Sequence, residues 1–333
     1  MNTGKLGQAV SAKQIFDLIR EDLESVEREI SLESVASVDV VTAIGRYLQA
    51  SGGKRLRPAL LLLSARLAGN GGATAIRLAA VVEMIHAATL MHDDVIDAAE
   101  TRRGRPSANV RWGNHTCVLA GDWLYMQAFQ VALRERNFQI LDLLIGLTQM
   151  MVEGELLQLE RIGRIQITEA DCMELVDRKT ARLFSVCARL GALAGGADAH
   201  LQDQLGEYAW NLGMAFQLVD DVLDFTAREK TLGKPVGNDL REGKVTLPLV
   251  YALECASQSE RRQIETILRE RHYESVPFRD VLHILETYDA IERVRQRARS
   301  FTERARAIVG QFPESPYQRA LASVAGLITE RDH

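Results

Sequence analysis

Apolar residues recur at spacings of three and four along most of the chain, within long segments rich in Ala, Leu, Glu and Arg. This spacing places apolar side chains on one face of an α-helix. Only seven prolines interrupt the pattern, and no segment shows the strict alternation that is typical of a strand. The pattern therefore predicts a nearly all-α protein. Its helices are expected to break at the glycine- and proline-containing segments SGGKR, AGNGG, RRGRP, AGGAD, LGKPVGNDLREGK and QFPESP.

The same pattern bears on the number of domains. A length of 333 residues allows about two domains of ordinary size, but no Ser/Pro-rich linker or change of composition marks a boundary between them. The two most unusual segments, near residues 93 and 220, resemble each other although they lie far apart in the chain. We therefore expect residues 1–333 to form one helical domain whose core holds both segments, with the motifs lying between about residues 50 and 255.

Composition excludes several classes of protein. The net charge of −5 leaves no basic surface for nucleic acid. The four cysteines lack the spacing of a zinc site or a disulfide framework, which favours reduced thiols in a cytoplasmic protein. The N-terminus has no continuous apolar core of a signal peptide, and charged residues interrupt the apolar runs before they reach spanning length. No transmembrane segment is expected.

Two acidic motifs of the form DDxxD stand out from this background. Positions i and i+4 of a helix lie one above the other, so HDDVIDA and VDDVLDF each present a ladder of carboxylates. A single such motif is more often a solvated acidic face. Here, however, both motifs follow apolar helical runs, and carboxylates crowded at an apolar wall need cations. Oxygen ligands without His or Cys favour Mg²⁺ shared with substrate phosphates. The candidate ligands are Asp93, Asp94, Asp97, Asp220, Asp221 and Asp224.

Basic residues next to glycines are the candidates for binding anions. In GGKRLRP the glycines allow a ligand to approach the backbone closely, and Lys54 and Arg57 lie beside them. Taken singly, each lysine of the chain is more often a surface charge. A basic helix C-terminus, which favours cations, would explain one of Arg102 and Arg103. Two arginines before a glycine and opposite an acidic ladder are more typical of an anion-binding clamp. The further candidates for phosphate oxygens are Lys179, Thr180, Lys234 and Lys244.

Taken together, the motifs GGKRLRP, HDDVIDAAETRRG, GDWLY, DRKTARLF, FQLVDDVLDF and LGKPVGNDLREGKVTLPL resemble those of the trans-polyprenyl diphosphate synthases, particularly the long-chain enzymes. The resemblance implies an all-α, orthogonal helical bundle around one deep central cavity, and a homodimer. It implies that the six aspartates bind about three Mg²⁺ ions, which hold an allylic diphosphate. It implies further contacts with that diphosphate from Arg102, Lys179, Thr180, Gln217, Lys234 and Lys244.

The resemblance also implies a second site, in which isopentenyl diphosphate is bound by Lys54, Arg57, His86 and Arg103. In the implied reaction the allylic diphosphate leaves, the isopentenyl double bond attacks the resulting carbocation, and a proton is lost, with the released diphosphate as its acceptor. Catalysis is then mainly electrostatic stabilisation and positioning. The residues expected to be catalytic are Asp93, Asp94, Asp97, Asp220, Asp221 and Lys179.

In this family the helix before the first acidic motif is the wall along which the product grows. Ala88 and Thr89, the fifth and fourth residues before Asp93, are small. An aromatic pair there would stop the product after about 5.4 Å of helix, comparable to one isoprene unit, so a product of roughly C20 or longer is expected. The resemblance to the long-chain enzymes further implies a product of about C30–C50. Candidates for the cavity floor are Phe129 and Met84.

Three other hypotheses compete with this one. A class I terpene cyclase shares an aspartate-rich helix and Mg²⁺ but needs no second diphosphate site, so GGKRLRP and Arg103 argue against it. A non-catalytic partner subunit of a heteromeric synthase would be expected to have lost acids or cations, and none is missing. A plain helical scaffold would leave six clustered aspartates without cations. A transient membrane contact for product release is compatible with the synthase hypothesis.

Overall fold

Long helices with buried apolar faces dominate the computed structural model, which describes residues 11–50, 52–227 and 236–329. The helices are α1 Ala12–Asp17, α2 Arg20–Glu33, α3 Asp39–Ala50, α4 Leu56–Ala68, α5 Gly72–Ile96, α6 Ala108–Trp112, α7 Asn114–Leu133, α8 Phe138–Arg161, α9 Glu169–Val176, α10 Arg182–Ala194, α11 Ala199–Thr226, α12 Asn238–Arg241, α13 Leu247–Cys255, α14 Gln258–Glu270, α15 Phe278–Thr287, α16 Ala290–Val309 and α17 Pro316–Thr329.

The all-α prediction is confirmed, with one small exception. Strands β1 Thr101–Arg102 and β2 Arg105–Pro106, of two residues each, pair antiparallel in a hairpin whose turn contains Gly104. Within the described ranges, the glycine-containing segments separate helices as predicted. Polar caps mark other ends that the glycine pattern did not indicate. Thr168 and Asp171 form a capping box at the start of α9, and Ser257 and Glu260 form one at the start of α14.

The two longest helices lead into the two acidic motifs. α5 has 25 residues and α11 has 28, and both are longer than the average globular helix. α5 packs against α4 and α7, whereas α11 packs against α10 and α16. Because α10 also packs against α4 and α5, it joins the two long helices. The chain thereby brings two motifs that are distant in sequence towards one cavity.

The buried apolar residues form one connected cluster that extends from α1 to α17. All four cysteines are free thiols, and only Cys255 is exposed. Among the described residues, α5 alone has the length and apolar composition to cross a bilayer. More than half of its most apolar window, 56%, is buried inside the protein. A helix in a protein core can be equally long and apolar, because its side chains are buried against other helices. The burial of α5 therefore accounts for its apolar composition.

Candidate active site

One cavity of about 630 Å³ lies between α5, α7, α8, α9 and α11. Carboxylates and basic residues line one part of it, including Asp93, Asp221, Asp239, Lys179 and Lys244. Apolar side chains from α5, α7, α8 and α9 line the rest, including Val118, Met151, Val152, Leu156, Leu159, Leu175 and Val176. A ligand that carries both a strongly anionic group and a long apolar chain would match both parts.

In the first motif, Asp93 and Asp97 occupy the last turn of α5, and Asp97 is its C-cap residue. Burial raises the pKa of Asp93 to about 6, although the nearby Lys179 opposes the shift. Lys244 donates from Nζ to both carboxylate oxygens of Asp97 at 3.2 Å. The negative end of the helix dipole adds to the cost of holding carboxylates here. These acids are therefore placed where cations would stabilise them.

Asp94 differs from its two neighbours in the motif. A helix turns about 100° per residue, which points Asp94 away from the face shared by Asp93 and Asp97. Its side chain is 1% exposed, and its Oδ1 accepts a hydrogen bond from Arg102 Nε at 2.7 Å. Within the described residues, its Oδ2 is buried without a hydrogen-bond partner. Asp94 borders a smaller pocket of about 60 Å³ rather than the main cavity.

The second motif lies at the end of α11. Asp221 is 5% exposed, lines the main cavity and accepts a hydrogen bond from Gln217 Nε2 at 2.9 Å. Gln217 in turn accepts a hydrogen bond from the Thr180 hydroxyl at 2.8 Å. Burial and the nearby carboxylate of Asp239 raise the pKa of Asp221 well above its usual value. Three expected site residues, Thr180, Gln217 and Asp221, thus form one hydrogen-bonded chain.

The other two aspartates of the second motif differ in their surroundings. Asp224 is 1% exposed, and its Oδ2 accepts a hydrogen bond from the backbone N–H of Asp239 at 3.2 Å. Asp220 is half-buried and lies close enough to Arg57 to raise the pKa of that arginine. Burial outweighs this effect, so the net pKa of Arg57 is lowered. Asp220 therefore faces the basic residues expected to bind the second substrate.

A π-helical turn, Asp177–Ala181, joins α9 to α10 and carries Lys179 and Thr180. Single π turns within α-helices are frequent at functional sites, and here both residues line the cavity. Lys179 forms an ion pair with Glu155 at 2.5 Å and donates to Gln158 Oε1 at 2.9 Å. Lys179 is thus held at the cavity wall close to Asp93.

Two of the residues expected to bind isopentenyl diphosphate, Arg57 and His86, line the main cavity, and His86 also borders the smaller pocket together with Arg103. Arg57 Nη1 lies 3.0 Å from His86 Nε2. Burial lowers the pKa of His86, and Arg57, Arg103 and Arg102 add to the shift, so the imidazole is neutral at pH 7 and accepts this bond. Arg103 packs over Gly53, where a Cβ would lie 3.0 Å from its Nη1. Gly53 therefore allows Arg103 to approach the loop that carries the exposed Lys54.

Lys244 connects the first motif to the segment that follows the second. It lines the cavity, pairs with Asp97, and forms a 2.6 Å ion pair with Glu242. Burial lowers the pKa of Lys244, but Asp97 and Glu242 outweigh that effect and raise it above the usual value. Lys234, the other expected lysine of this segment, lies outside the described residues.

The structure adds cavity residues that the motif analysis did not single out. Glu155 and Gln158 reach the cavity from α8, and Asp239 reaches it from α12. Asp122 of the GDWLY motif also lines it, 3.4 Å from His92 Nε2. The sequence carries a signal for Glu155, because EGELLQ places two carboxylates directly after the apolar run of α8. Asp239 has no such pattern around it.

The expected wall residues are separated by the structure. Thr89 lines the cavity, whereas Ala88 is fully buried in the core and is not part of the lining. The two floor candidates do not line it either. Met84 is 1% exposed and borders the smaller pocket, and Phe129 packs against the core from a half-buried position. The helix twist explains the first difference, because adjacent residues point to different faces.

Comparison with known proteins agrees with this architecture. A family model described as "Polyprenyl synthetase" matches residues 38–285. Octaprenyl diphosphate synthase of Escherichia coli is 35% identical over 97% of this chain and 100% of its own length. Heptaprenyl diphosphate synthase component 2 of Bacillus subtilis is 32% identical over 96% of this chain and 90% of its own.

A solved structure is also similar throughout. It is a polyprenyl synthase from Caulobacter crescentus, complexed with calcium and isoprenyl diphosphate, which superposes with a TM-score of 0.93 at 35% identity. The superposition covers 98% of this chain and 99% of that one. The chain belongs to the polyprenyl synthetase family, and it is a prenyltransferase.

Proposed function

We propose that this prenyltransferase condenses isopentenyl diphosphate head-to-tail with an allylic diphosphate to give a trans-polyprenyl diphosphate. The observation that carries the proposal is the single cavity, in which carboxylates from both DDxxD motifs and two lysines lie at one part of an otherwise apolar space. Such a cavity would bind the diphosphate with its polar part and the prenyl chain with its apolar part.

The candidate ligands suit Mg²⁺ by their chemistry. The candidate ligands are carboxylate oxygens, which suit a hard cation, and the raised pKa values of Asp93 and Asp221 show that the cavity disfavours their negative charge. We propose Asp93 and Asp97 on one side, and Asp220, Asp221 and Asp224 on the other, as ligands for about three ions shared with substrate phosphates. When bound, these ions would neutralise the charge of the departing diphosphate. Asp94 would act by holding Arg102.

The remaining charged residues divide between two substrates in this proposal. Arg102, Lys179, Thr180, Gln217, Lys234 and Lys244 would contact the allylic diphosphate, and Lys54, Arg57, His86 and Arg103 would bind isopentenyl diphosphate. Neutral His86 accepts a hydrogen bond from Arg57 at Nε2, so its Nδ1–H would be the group that donates to the substrate. The calcium and isoprenyl diphosphate of the Caulobacter crescentus structure support a site for a divalent cation and an isoprenoid diphosphate.

In the proposed reaction the residues of the protein position the two substrates and stabilise the charges that develop on them. Lys179 and Lys244 would donate hydrogen bonds to the leaving diphosphate, which strengthen as its charge develops. The apolar wall would exclude water from the allylic carbocation, and the cluster around Arg57 would hold the isopentenyl double bond against it. The allylic carbon–oxygen bond would break first, and the isopentenyl double bond would then form the new carbon–carbon bond to the carbocation. The released diphosphate would take the proton that is lost.

Product length is proposed to be C20 or longer, which the small side chain at position 89 supports. The octaprenyl and heptaprenyl enzymes among the relatives favour C30–C50 within that range. The wall on this part of α5 would be formed by Thr89 rather than by Ala88, since only Thr89 lines the cavity. Ala88 is then a packing position.

We expect Thr89→Phe to shorten the product, because an aromatic ring would project into the cavity within about one helical turn, or 5.4 Å, of Asp93. Chromatographic sizing of the products of purified enzyme would measure the effect. Thr89→Ser, which adds no bulk, is the matched control and should leave the distribution unchanged. An unaltered distribution in Thr89→Phe would remove Thr89 from the wall.

We further propose that the chain forms a single domain and a homodimer. The exposed apolar residues Leu119, Met126 and Leu133 recur every seven residues on α7, as do Phe138, Ile145, Val152 and Leu159 on α8. Seven-residue spacing is the pattern of a helix that packs against another helix. A second copy placed on α7 and α8 would also cover Val118, Val152 and Leu159, which line the cavity from its exposed side.

Met126→Glu should disrupt the dimer, since Met126 is 64% exposed and does not line the cavity. Light scattering would then report about 37.1 kDa instead of twice that mass. Thr287→Glu introduces the same charge at an exposed position of α15 and should leave the dimer intact. If wild-type protein is monomeric at micromolar concentration, the homodimer proposal fails.

For location and other partners we propose a cytoplasmic enzyme that does not bind nucleic acid and contacts membranes only transiently, when it releases its apolar product. The negative net charge and the free cysteines support this assignment. Neither the net charge nor the free cysteines favour the alternative that the chain is a plain helical scaffold.

The synthase and its rivals differ in substrate dependence. A synthase releases diphosphate rapidly only when Mg²⁺, an allylic diphosphate and isopentenyl diphosphate are all present. A terpene cyclase would release diphosphate from the allylic substrate alone, and a non-catalytic subunit would release none. Measuring released diphosphate with each component omitted in turn would therefore separate the three.

A further inference from the structure

The connection between α14 and α15 contacts the segment of the site that follows the second acidic motif in the chain. Tyr273 donates a hydrogen bond from its hydroxyl to the backbone oxygen of Gly237 at 2.6 Å. Its ring packs edge-on against Phe278, with ring centroids 5.2 Å apart, and Phe278 stacks on Phe225. Phe225 directly follows Asp224. The C-terminal third of the chain therefore contacts the end of the motif helix.

A chain of hydrogen bonds extends from Tyr273 to the carboxylates. Gly237 donates its N–H to the backbone oxygen of Asp224 at 2.7 Å. Two residues further on, the N–H of Asp239 binds Asp224 Oδ2 at 3.2 Å. Tyr273 thus contacts the short segment 237–239, which is hydrogen-bonded to Asp224 of the second motif. Asp239 itself lines the cavity and raises the pKa of Asp221.

Tyr273 and Phe278 pack directly against the backbone of Gly237. Gly237 has φ +67°, and a Cβ at this residue would lie 2.6 Å from the Tyr273 hydroxyl and 2.4 Å from the Phe278 ring. A side chain at position 237 would therefore displace the tyrosine.

A second residue of the same connection contacts the segment next to Lys244. Gly243 has φ +81°, and a Cβ there would lie 1.9 Å from Arg271 Nη1, so the guanidinium lies directly against the glycine backbone. The next residue, Lys244, donates its N–H to the backbone oxygen of Asp239 at 2.8 Å. Tyr273 therefore contacts residues 237–244 near their beginning, at Gly237, and Arg271 contacts them near their end, at Gly243.

We propose that Tyr273 is a positioning residue for the allylic diphosphate, acting through Gly237 to hold Asp239 and Lys244 at the cavity wall. The inference rests on the proposed function. It assigns a role to a side chain of the C-terminal third that does not line the cavity. It also predicts selectivity between substrates, because the residues proposed for isopentenyl diphosphate, Arg57, His86 and Arg103, belong to α4, α5 and the hairpin rather than to residues 237–244.

Tyr273→Phe tests the proposal, since it removes the hydroxyl and retains the ring that packs on Phe278. Calorimetry with an unreactive thiolo analogue of an allylic diphosphate should show about tenfold weaker binding, because small displacements of positioning groups have large effects. The KM for the allylic substrate should rise by a similar factor. The KM for isopentenyl diphosphate should stay within about twofold of wild type.

Tyr288→Phe is the matched control. It removes another tyrosine hydroxyl of the C-terminal third, which donates to Glu260 at 2.8 Å far along the chain from the motifs. Its kinetics and analogue affinity should equal those of wild type. Arg271→Met provides a second variant in case Tyr273→Phe folds poorly, and it should weaken the same substrate selectively.

Unchanged analogue affinity in folded Tyr273→Phe, or equal weakening of both substrates, would overturn the proposal. Those results concern only Tyr273, provided that the wild-type enzyme binds the analogue and elongates its substrates. Failure of the wild-type protein to do either would instead count against the proposed function.

Discussion

Replacement of Asp93 or Asp220 by alanine is expected to lower turnover by about a thousandfold or more, because each carboxylate belongs to the set proposed to hold the Mg²⁺ ions, which would neutralise the charge of the leaving diphosphate. Asp93 lines the cavity one helical turn from Asp97, and Asp220 lies close to Arg57 on the facing helix. Steady-state rates with saturating substrates and Mg²⁺ would measure the loss.

Asp203→Asn is the control for both variants. Asp203 lies on the same helix as Asp220, with a 65% exposed side chain that pairs with Arg189. Exposed ion pairs contribute about 0–1 kcal/mol, so this variant should keep wild-type turnover and nearly wild-type stability. Near-normal turnover in folded Asp93→Ala or Asp220→Ala would contradict the assignment of the acidic motifs.

Lys179→Met should lower turnover by about a hundredfold, in the range measured when one donor to a developing anion is removed. Methionine preserves the length and the apolar stem of the side chain but removes the cation. It also leaves the carboxylate of Glu155, which is 15% exposed, without its partner at 2.5 Å. Burst and steady-state measurements would show whether the loss falls on the chemical step.

Two comparisons make the Lys179 result specific. Lys13→Met makes the same change at an exposed position of α1 and should be neutral. Glu155→Gln tests whether the loss in Lys179→Met comes only from an unpaired Glu155. If Lys179→Met with Glu155→Gln recovers wild-type turnover, then Lys179 serves to balance Glu155 and does not contact the diphosphate.

The general architecture was predictable because it depends on local periodicity. The spacing of apolar residues indicates helices directly, and the i, i+4 spacing of each motif indicates which carboxylates share a face. The structure agrees for Asp93 and Asp97. It differs for Asp94, which the same geometry turns towards Arg102. The DDxxD pattern by itself predicts the same role for all three aspartates, whereas a helical turn of about 100° per residue separates Asp94 from the other two.

Other parts of the site depend on contacts between distant segments, which periodicity does not contain. The π turn that presents Lys179 and Thr180 together has no signature in helix propensity. Asp239 reaches the cavity because α12 packs beside the end of α11, as its hydrogen bond to Asp224 shows. Tyr273 meets Gly237 across 36 residues. Such positions follow from tertiary packing alone.

The proposed wall illustrates the same limit at smaller scale. Ala88 and Thr89 are adjacent and both small, so the sequence alone does not distinguish their orientations. In the structure one residue belongs to the core and its neighbour to the cavity. Bulk added at Ala88 would overpack a core position, which typically costs about 1–3 kcal/mol of stability, whereas bulk added at Thr89 would enter the cavity.

The most direct test of the synthase proposal is to size the products formed from labelled isopentenyl diphosphate, an allylic diphosphate and Mg²⁺ by purified protein. The proposal predicts a ladder of linear trans-prenyl diphosphates that differ by one isoprene unit and end at C20 or longer. Cyclic hydrocarbons formed without incorporation of label, or no product at all from folded protein, would contradict it.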